Sequence, residues 1–176
     1  MSQLFGTPHQ LGYVVRDIGR AMRHWTEVMR VGPFYYQEHL PLASFIYRGQ
    51  STDVDLSVAF AYSGTLQIEL IQPRGEADSL FHDFLINGNE GLHHIGYLSG
   101  NLKRDLNLAE EAGLKLAQYG TILGEGGQFA CFESGELPGT AIQLLSLDGG
   151  SLDMFQMIRA EAAHWDGSGP VRLLGS

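Results

Sequence analysis

The chain has 176 residues, 44% hydrophobic and 18% charged. At this length folding buries roughly 70% of the unfolded surface, so a core needs neither disulfide nor structural metal, and the composition excludes a disordered or fibrous chain. Lys and Arg number 11 against 20 Asp and Glu, a net charge of −9; without a cationic footprint, nucleic acid and anionic membranes are not expected partners. Cys131 is the only cysteine, which rules out an internal disulfide and a thiolate metal cluster within one chain. The start, Met1-Ser2-Gln3-Leu4-Phe5-Gly6, lacks the basic and apolar parts of a signal peptide. No apolar run approaches the roughly 18 residues of a membrane span, so a cytoplasmic location is expected.

Along the chain, Gln10 to Val15 reads as a strand that enters a helix capped by Asp17. Ile18, Ala21, Met22, Trp25, Val28 and Met29 recur at helical spacing and predict one apolar stripe. Gly32-Pro33 ends that helix. Phe34, Tyr35 and Tyr36 follow, and Tyr47-Arg48 lie on the next strand. From 54 to 63 the pattern has period 2, with Val54, Leu56, Val58, Phe60 and Tyr62 on one face and Asp55, Ser57, Ala59, Ala61 and Ser63 on the other. The bulky face is predicted to pack under helices and the small face to line a cavity. A short linker helix is predicted over 79–86, with Leu80, Phe81, Phe84 and Leu85 apolar. A further helix runs over about 101–112, on a stripe of Leu102, Leu106 and Ala109, and Gly113 closes it. Gly124-Glu125-Gly126-Gly127 lacks the Lys-Ser/Thr of a phosphate loop and precedes a strand, Gln128 to Glu133, so it is read as a hairpin turn. A terminal helix is predicted over 152–165; the tail beyond it is either an ordered arm or a frayed end.

Two stretches repeat. Pro8-His9-Gln10-Leu11-Gly12-Tyr13-Val14-Val15 aligns with Leu92-His93-His94-Ile95-Gly96-Tyr97-Leu98-Ser99, and Leu66-Gln67-Ile68-Glu69-Leu70-Ile71 aligns with Thr140-Ala141-Ile142-Gln143-Leu144-Leu145. The chain is therefore read as a single α+β domain of two tandem βαβββ modules, about 8–73 and 92–147. They would form a curved mixed sheet around a cavity, followed by the C-terminal helix.

This arrangement resembles the vicinal-oxygen-chelate superfamily, which includes glyoxalase I, extradiol dioxygenases and bleomycin-resistance proteins. The resemblance rests on Gly91-Leu92-His93-His94-Ile95-Gly96-Tyr97, Ile68-Glu69-Leu70-Ile71-Gln72-Pro73 and Val14-Val15-Arg16-Asp17-Ile18, and is nearest to the methylmalonyl-CoA-epimerase-like branch. It implies a divalent metal (Zn, Ni, Mn, Co or Fe) held by the first and last strands of both modules, at Gln10 or the neighbouring His9, Glu69, His94 and Gln143. It also implies pairing into a homodimer. Strand parity independently groups Gln10, Glu69, His94 and Gln143 on one face; His9 joins them only if the strand start is bulged or twisted, and His93 points the other way.

Neutral imidazole and carboxylate suit such a metal, and amide oxygen is a poorer ligand. The expected activity is that of a lyase or isomerase acting next to a carbonyl of a small organic or acyl-CoA substrate. The metal would stabilise an enolate or enediolate, and Glu69 or Asp55 would move the proton. Phe34, Tyr36, Tyr47 and Arg48 are candidates for the substrate wall, with Arg48 meeting a carboxylate or phosphate. A metal-independent protein that sequesters a small molecule, as bleomycin-resistance proteins do, is the alternative. An extradiol dioxygenase is the weaker third reading, because the triad of two His and one carboxylate is incomplete.

Overall fold

The computed structural model describes residues 2–124, 127–133, 140–147 and 149–174. The first module comprises β1 (Gln10–Val14), α1 (Ile18–Arg23), β2 (Phe34–Gln37), β5 (Asp55–Ser63) and β6 (Leu66–Arg74), with a hairpin of β3 (Leu42–Tyr47) and β4 (Gln50–Ser51) inserted between β2 and β5. After α2 (Leu80–Ile86), the second module follows as β7 (Gly91–Leu98), α3 (Leu102–Glu111), β8 (Lys115–Ile122), β9 (Gln128–Glu133) and β10 (Ala141–Ser146). The chain ends in α4 (Gly149–Ala163) and β11 (Val171–Leu173). Of the predicted hairpin turn over 124–127, Glu125 and Gly126 lie outside the described residues.

All strands join one mixed sheet in the order β11-β2-β5-β6-β1-β7-β10-β9-β8-β3-β4. Antiparallel pairing of β1 with β7 joins the modules, and each of these strands is parallel to the last strand of its own module, β6 or β10. The hairpin departs from the repeat: β3 leaves β2 at one side of the sheet and pairs with β8 at the other. In a flat sheet those positions would stand about 38 Å apart, at roughly 4.8 Å per strand. The link from Gln37 to Leu42 spans at most about 18 Å. The sheet must therefore curl, and the link is tied to both flanks by Leu40 N–H donating to Leu56 O (2.8 Å) and Leu123 N–H donating to Pro41 O (2.8 Å).

The convex face carries α1 and α3. Asp17 caps α1 by accepting from Arg20 N–H. The helix then widens into a π-helical stretch, His24–Val28, where Thr26 is buried and its hydroxyl donates to Met22 O. The wider turn breaks the predicted stripe, leaving Val28 66% and Met29 53% exposed. Ile18 and Met22 pack on Ala59, Ala61, Ile68 and Leu70, while Leu102 and Ala109 pack on Ala130, Phe132 and Leu144.

The parity of β5 is thus the reverse of that expected. Ala59 and Ala61 lie under α1, where small side chains let the helix approach, and Leu56, Val58 and Phe60 face the concavity. The concave core is completed by α2 and by Phe155 and Ile158 of α4, with Phe155 against Phe60 at 5.1 Å between ring centroids. The tail is an ordered arm, since β11 extends the sheet parallel to β2.

Candidate functional site

Two rows of side chains cross the four central strands on the concave face. One runs Glu69, Gly12, His94, Ala141, and the next runs Gln67, Gln10, Gly96, Gln143. The glycines make room for their neighbours. A Cβ on Gly12 would stand 1.9 Å from His94 Cε1, and one on Gly96 would stand 2.7 Å from Gln10 Oε1. Each module's first strand thus lays one polar side chain over the other's glycine.

Gln10 and His94 are fully buried, Gln143 is 3% exposed and Glu69 8%. His94 Nε2 lies 3.3 Å from Gln10 Oε1 and 3.2 Å from Glu69 Oε2. Gln10 is oriented by donating its amide to Gln67 Oε1 (2.7 Å), and Gln67 in turn donates to the Tyr62 hydroxyl. Gln10 Oε1 is therefore turned toward His94 Nε2, and His94 Nδ1 shares a hydrogen bond with His93 Nδ1 at 3.1 Å, the donating ring nitrogen being set by the tautomer. Gln143 donates to Cys131 Sγ (3.5 Å). Two buried oxygens, Glu69 Oε2 and Gln143 Oε1, have no hydrogen-bond donor among the described residues.

His93 is on the same side as His94, against the expected parity. A register shift in the β1–β7 pairing pairs Gly12 with His94 but Tyr13 with Leu92, so His93 is the extra residue of a bulge. Its ring packs edge-on against Phe81 and Phe84. Burial, with a smaller contribution from His94, lowers its pKa to about 3. Burial pushes the Cys131 thiol up to about 12.

Gln10, Glu69 and Gln143, with the buried His94 outside the lining, form the floor of a cavity of about 140 Å³. Its walls are chiefly apolar, and Ser151, Met154 and Phe155 of α4 cover it.

The other candidates lie elsewhere. His9 is half-buried beside Tyr62, with Nε2 3.3 Å from the hydroxyl, and does not reach His94. Burial and the nearby Arg159 lower its pKa. Asp55, expected on the cavity side, is at the start of β5 on the opposite face, and pairs with His39 Nδ1 at 2.8 Å. Phe34 and Tyr36 belong to the convex layer with α1; it is Tyr35 that joins the concave core. Tyr47 is buried and bonds to Asp83. Arg48 and Gly49 have φ of 46° and 80° in the β3–β4 turn, and the Arg48 guanidinium pairs with Glu133 at 2.9 Å. None of these residues lines the cavity. Gln67, Phe81 and α4 were not placed at the site from the sequence, although the linker helix bearing Phe81 and the terminal helix were predicted; Gln67 carried a signal, two residues before Glu69 on the same strand face.

The donor set fits a divalent cation. It offers one imidazole nitrogen, one carboxylate and two amide oxygens, and two of its buried oxygens lack any donor. Among the described residues no group of three His, Cys, Asp or Glu side chains is placed to bind a metal. A cation here would thus take half its protein ligands from amides.

A paired-module sheet curled around such a quartet defines the class. The profile of the glyoxalase/bleomycin resistance protein/dioxygenase superfamily matches residues 9–132, and the chain belongs to that superfamily. It is 34% identical over 82 residues to the uncharacterized protein YqjC of Bacillus subtilis (strain 168), a match covering 47% of this chain and 57% of that protein. Methylmalonyl-CoA epimerase from Mycobacterium tuberculosis has a similar fold, with a TM-score of 0.61 at 15% identity over 85% of this chain and 93% of that one. A Streptomyces coelicolor epimerase variant in complex with 2-nitronate-propionyl-CoA gives 0.57 at 16% identity, over 81% and 95%. No helix among the described residues is long and apolar enough to cross a membrane.

Proposed function

We propose that the protein is a glyoxalase-like isomerase or lyase that moves a proton at a carbon next to a carbonyl group of a small organic molecule. The observation that supports this most directly is the pair of donorless buried oxygens, Glu69 Oε2 and Gln143 Oε1, at the floor of an apolar cavity, with His94 Nε2 3.2 Å from the first of them. A simple apolar binding pocket gains nothing from a buried carboxylate, whose desolvation is costly. Gln10 Oε1, Glu69, His94 Nε2 and Gln143 Oε1 would hold a divalent cation, which supplies Lewis-acid stabilisation of negative charge on the carbonyl oxygen.

Glu69 is the only titratable side chain among the cavity-lining residues described. It therefore takes the proton as the C–H bond breaks and the electron pair moves onto the carbonyl oxygen. In a hydroxyketone, delivering that proton to the former carbonyl carbon, while the hydroxyl proton passes to the former carbonyl oxygen, completes an isomerisation with no net redox change. Gln143 stands at the position that repeats Glu69 in the second module and cannot act as a second base. A one-base mechanism follows.

The test has two parts. Chelator-treated protein titrated with Zn²⁺, Mn²⁺ or Ni²⁺ is expected to bind about one ion per chain. Binding should be lost in His94→Ala and tightened in Gln143→Glu, which adds a charge. Deuterium uptake next to the carbonyl of a small hydroxyketone in D₂O should disappear in Glu69→Gln. No ion bound by the wild type, together with no uptake, would overturn the reading. It would favour metal-independent sequestration, which the apolar walls would also suit.

A further inference from the structure

The size and polarity of the cavity restrict what Glu69 can act on, and this inference rests on the reading just given. A space of about 140 Å³ is comparable to cavities that take a benzene-sized molecule, or a ligand of up to about ten non-hydrogen atoms. Among the described residues that line it, none is Lys, Arg or His, and Glu69 is the only charged one. A ligand phosphate or carboxylate would enter without a counter-charge, next to a buried carboxylate, in a chain of net charge −9. The one Arg considered for an anion, Arg48, is engaged with Glu133 and Asp83 away from the cavity.

The polar and apolar parts are segregated. Gln10, Glu69 and Gln143 lie on the floor, and the donorless oxygens there call for a cation or for O–H groups on the ligand. Val58, Phe60, Ile71, Phe129 and Leu145 make an apolar wall. The roof is Met154 and Phe155, and the contact of Phe155 with Phe60 fastens α4 to the wall. The family profile ends at residue 132, before this helix begins. On the α4 side, a long thioester tail would have to pass through that roof.

We propose that the substrate is a compact, uncharged hydroxycarbonyl compound with an apolar body about the size of a phenyl ring. In this proposal α4 sets the upper limit on its length, and acyl-CoA thioesters are excluded.

The probes are 2-hydroxyacetophenone and propionyl-CoA, and binding is measured by titration calorimetry on the full chain loaded with the tightest-binding ion, or without ion if none binds. The hydroxyketone is expected to bind, and propionyl-CoA to produce no heat. Ser151→Phe, which pushes a ring down from the roof, should weaken the hydroxyketone roughly tenfold or more. Met154→Trp is the second blocking variant should Ser151→Phe lose its fold by circular dichroism. Propionyl-CoA binding as tightly as the hydroxyketone overturns the proposal, as does failure of both probes or wild-type affinity in the folded blocking variants. Deuterium uptake on the same samples reports the chemistry separately. Binding without uptake overturns the proton-transfer reading and leaves the size limit standing; uptake with acyl-CoA binding does the reverse.

Discussion

Replacing Gly12 by alanine adds one methyl group and removes no donor, yet it should dismantle the site. The new Cβ would lie 1.9 Å from His94 Cε1, 2.1 Å from Nε2 and 2.5 Å from Nδ1. The ring has nowhere to go. It is fully buried, is bonded through one nitrogen to His93 and through the other to Gln10, and has Phe81 alongside. Overpacking of a tight core costs about 1–3 kcal/mol. With three ring atoms inside contact distance, the upper end, ~3 kcal/mol, applies. For a chain of this size that lowers Tm by roughly 6–12 °C, measured by circular dichroism melting, with urea titration for the free energy. The double variant Gly12→Ala/His94→Ala removes the clashing ring, so it should be more stable than the sum of the single changes by about 2 kcal/mol. Cation affinity should fall in Gly12→Ala, although every donor is retained. Strict additivity in the cycle, or a Gly12→Ala cost under ~1 kcal/mol, would refute the placement of His94 over Gly12.

Other consequences can be checked separately. The neutral His93 ring, whose pKa is lowered from 6.5 to about 3, makes the unfolded chain bind more protons between those values. Its contribution is complete above pH 6.5 and is lost as pH falls, by ~2 kcal/mol between pH 7 and pH 5; in His93→Phe, urea titrations at the two pH values should differ by that much less. Cys131, fully buried with its thiol pushed up to about 12, should resist iodoacetamide at pH 8 in native buffer and react in denaturant. Rapid native labelling would contradict its burial. Ser79 accepts from His82 N–H at the start of α2, so Ser79→Ala should cost about 1 kcal/mol and loosen Phe81 over the two histidines; an unchanged urea midpoint would dispute the cap.

The repeat made much of the architecture legible. Alignment of Gln10 with His94 and of Glu69 with Gln143 placed the two modules. Alternation along the short central strands placed the polar quartet on one face, because Ile68, Leu70, Ile142 and Leu144 had to face the helices. Three features escaped for physical reasons. Period 2 in β5 shows that its two faces differ but not which helix covers either, and here both faces are buried. The bulge at His93 is a register property of two strands, invisible in one of them. Pairing of β3 with β8 is a contact between modules, whereas the repeat describes each module alone. The roof was hidden for a related reason: the terminal helix over 152–165 was legible, but nothing in its sequence said that its partner was the cavity.

The route of β3 also governs how this chain can acquire its structure. The inserted hairpin finds its partner only when β8, synthesised far later, has formed. Closing so large a loop early is entropically unfavourable, and such topology slows folding. The first module therefore emerges from the ribosome with a strand whose edge has no neighbour, the kind of edge that recruits other chains. Cut at α2 and produced separately, the halves should each aggregate, and co-expression should rescue both. The two modules repeat one pattern, but the strand that crosses between them makes them one cooperative unit.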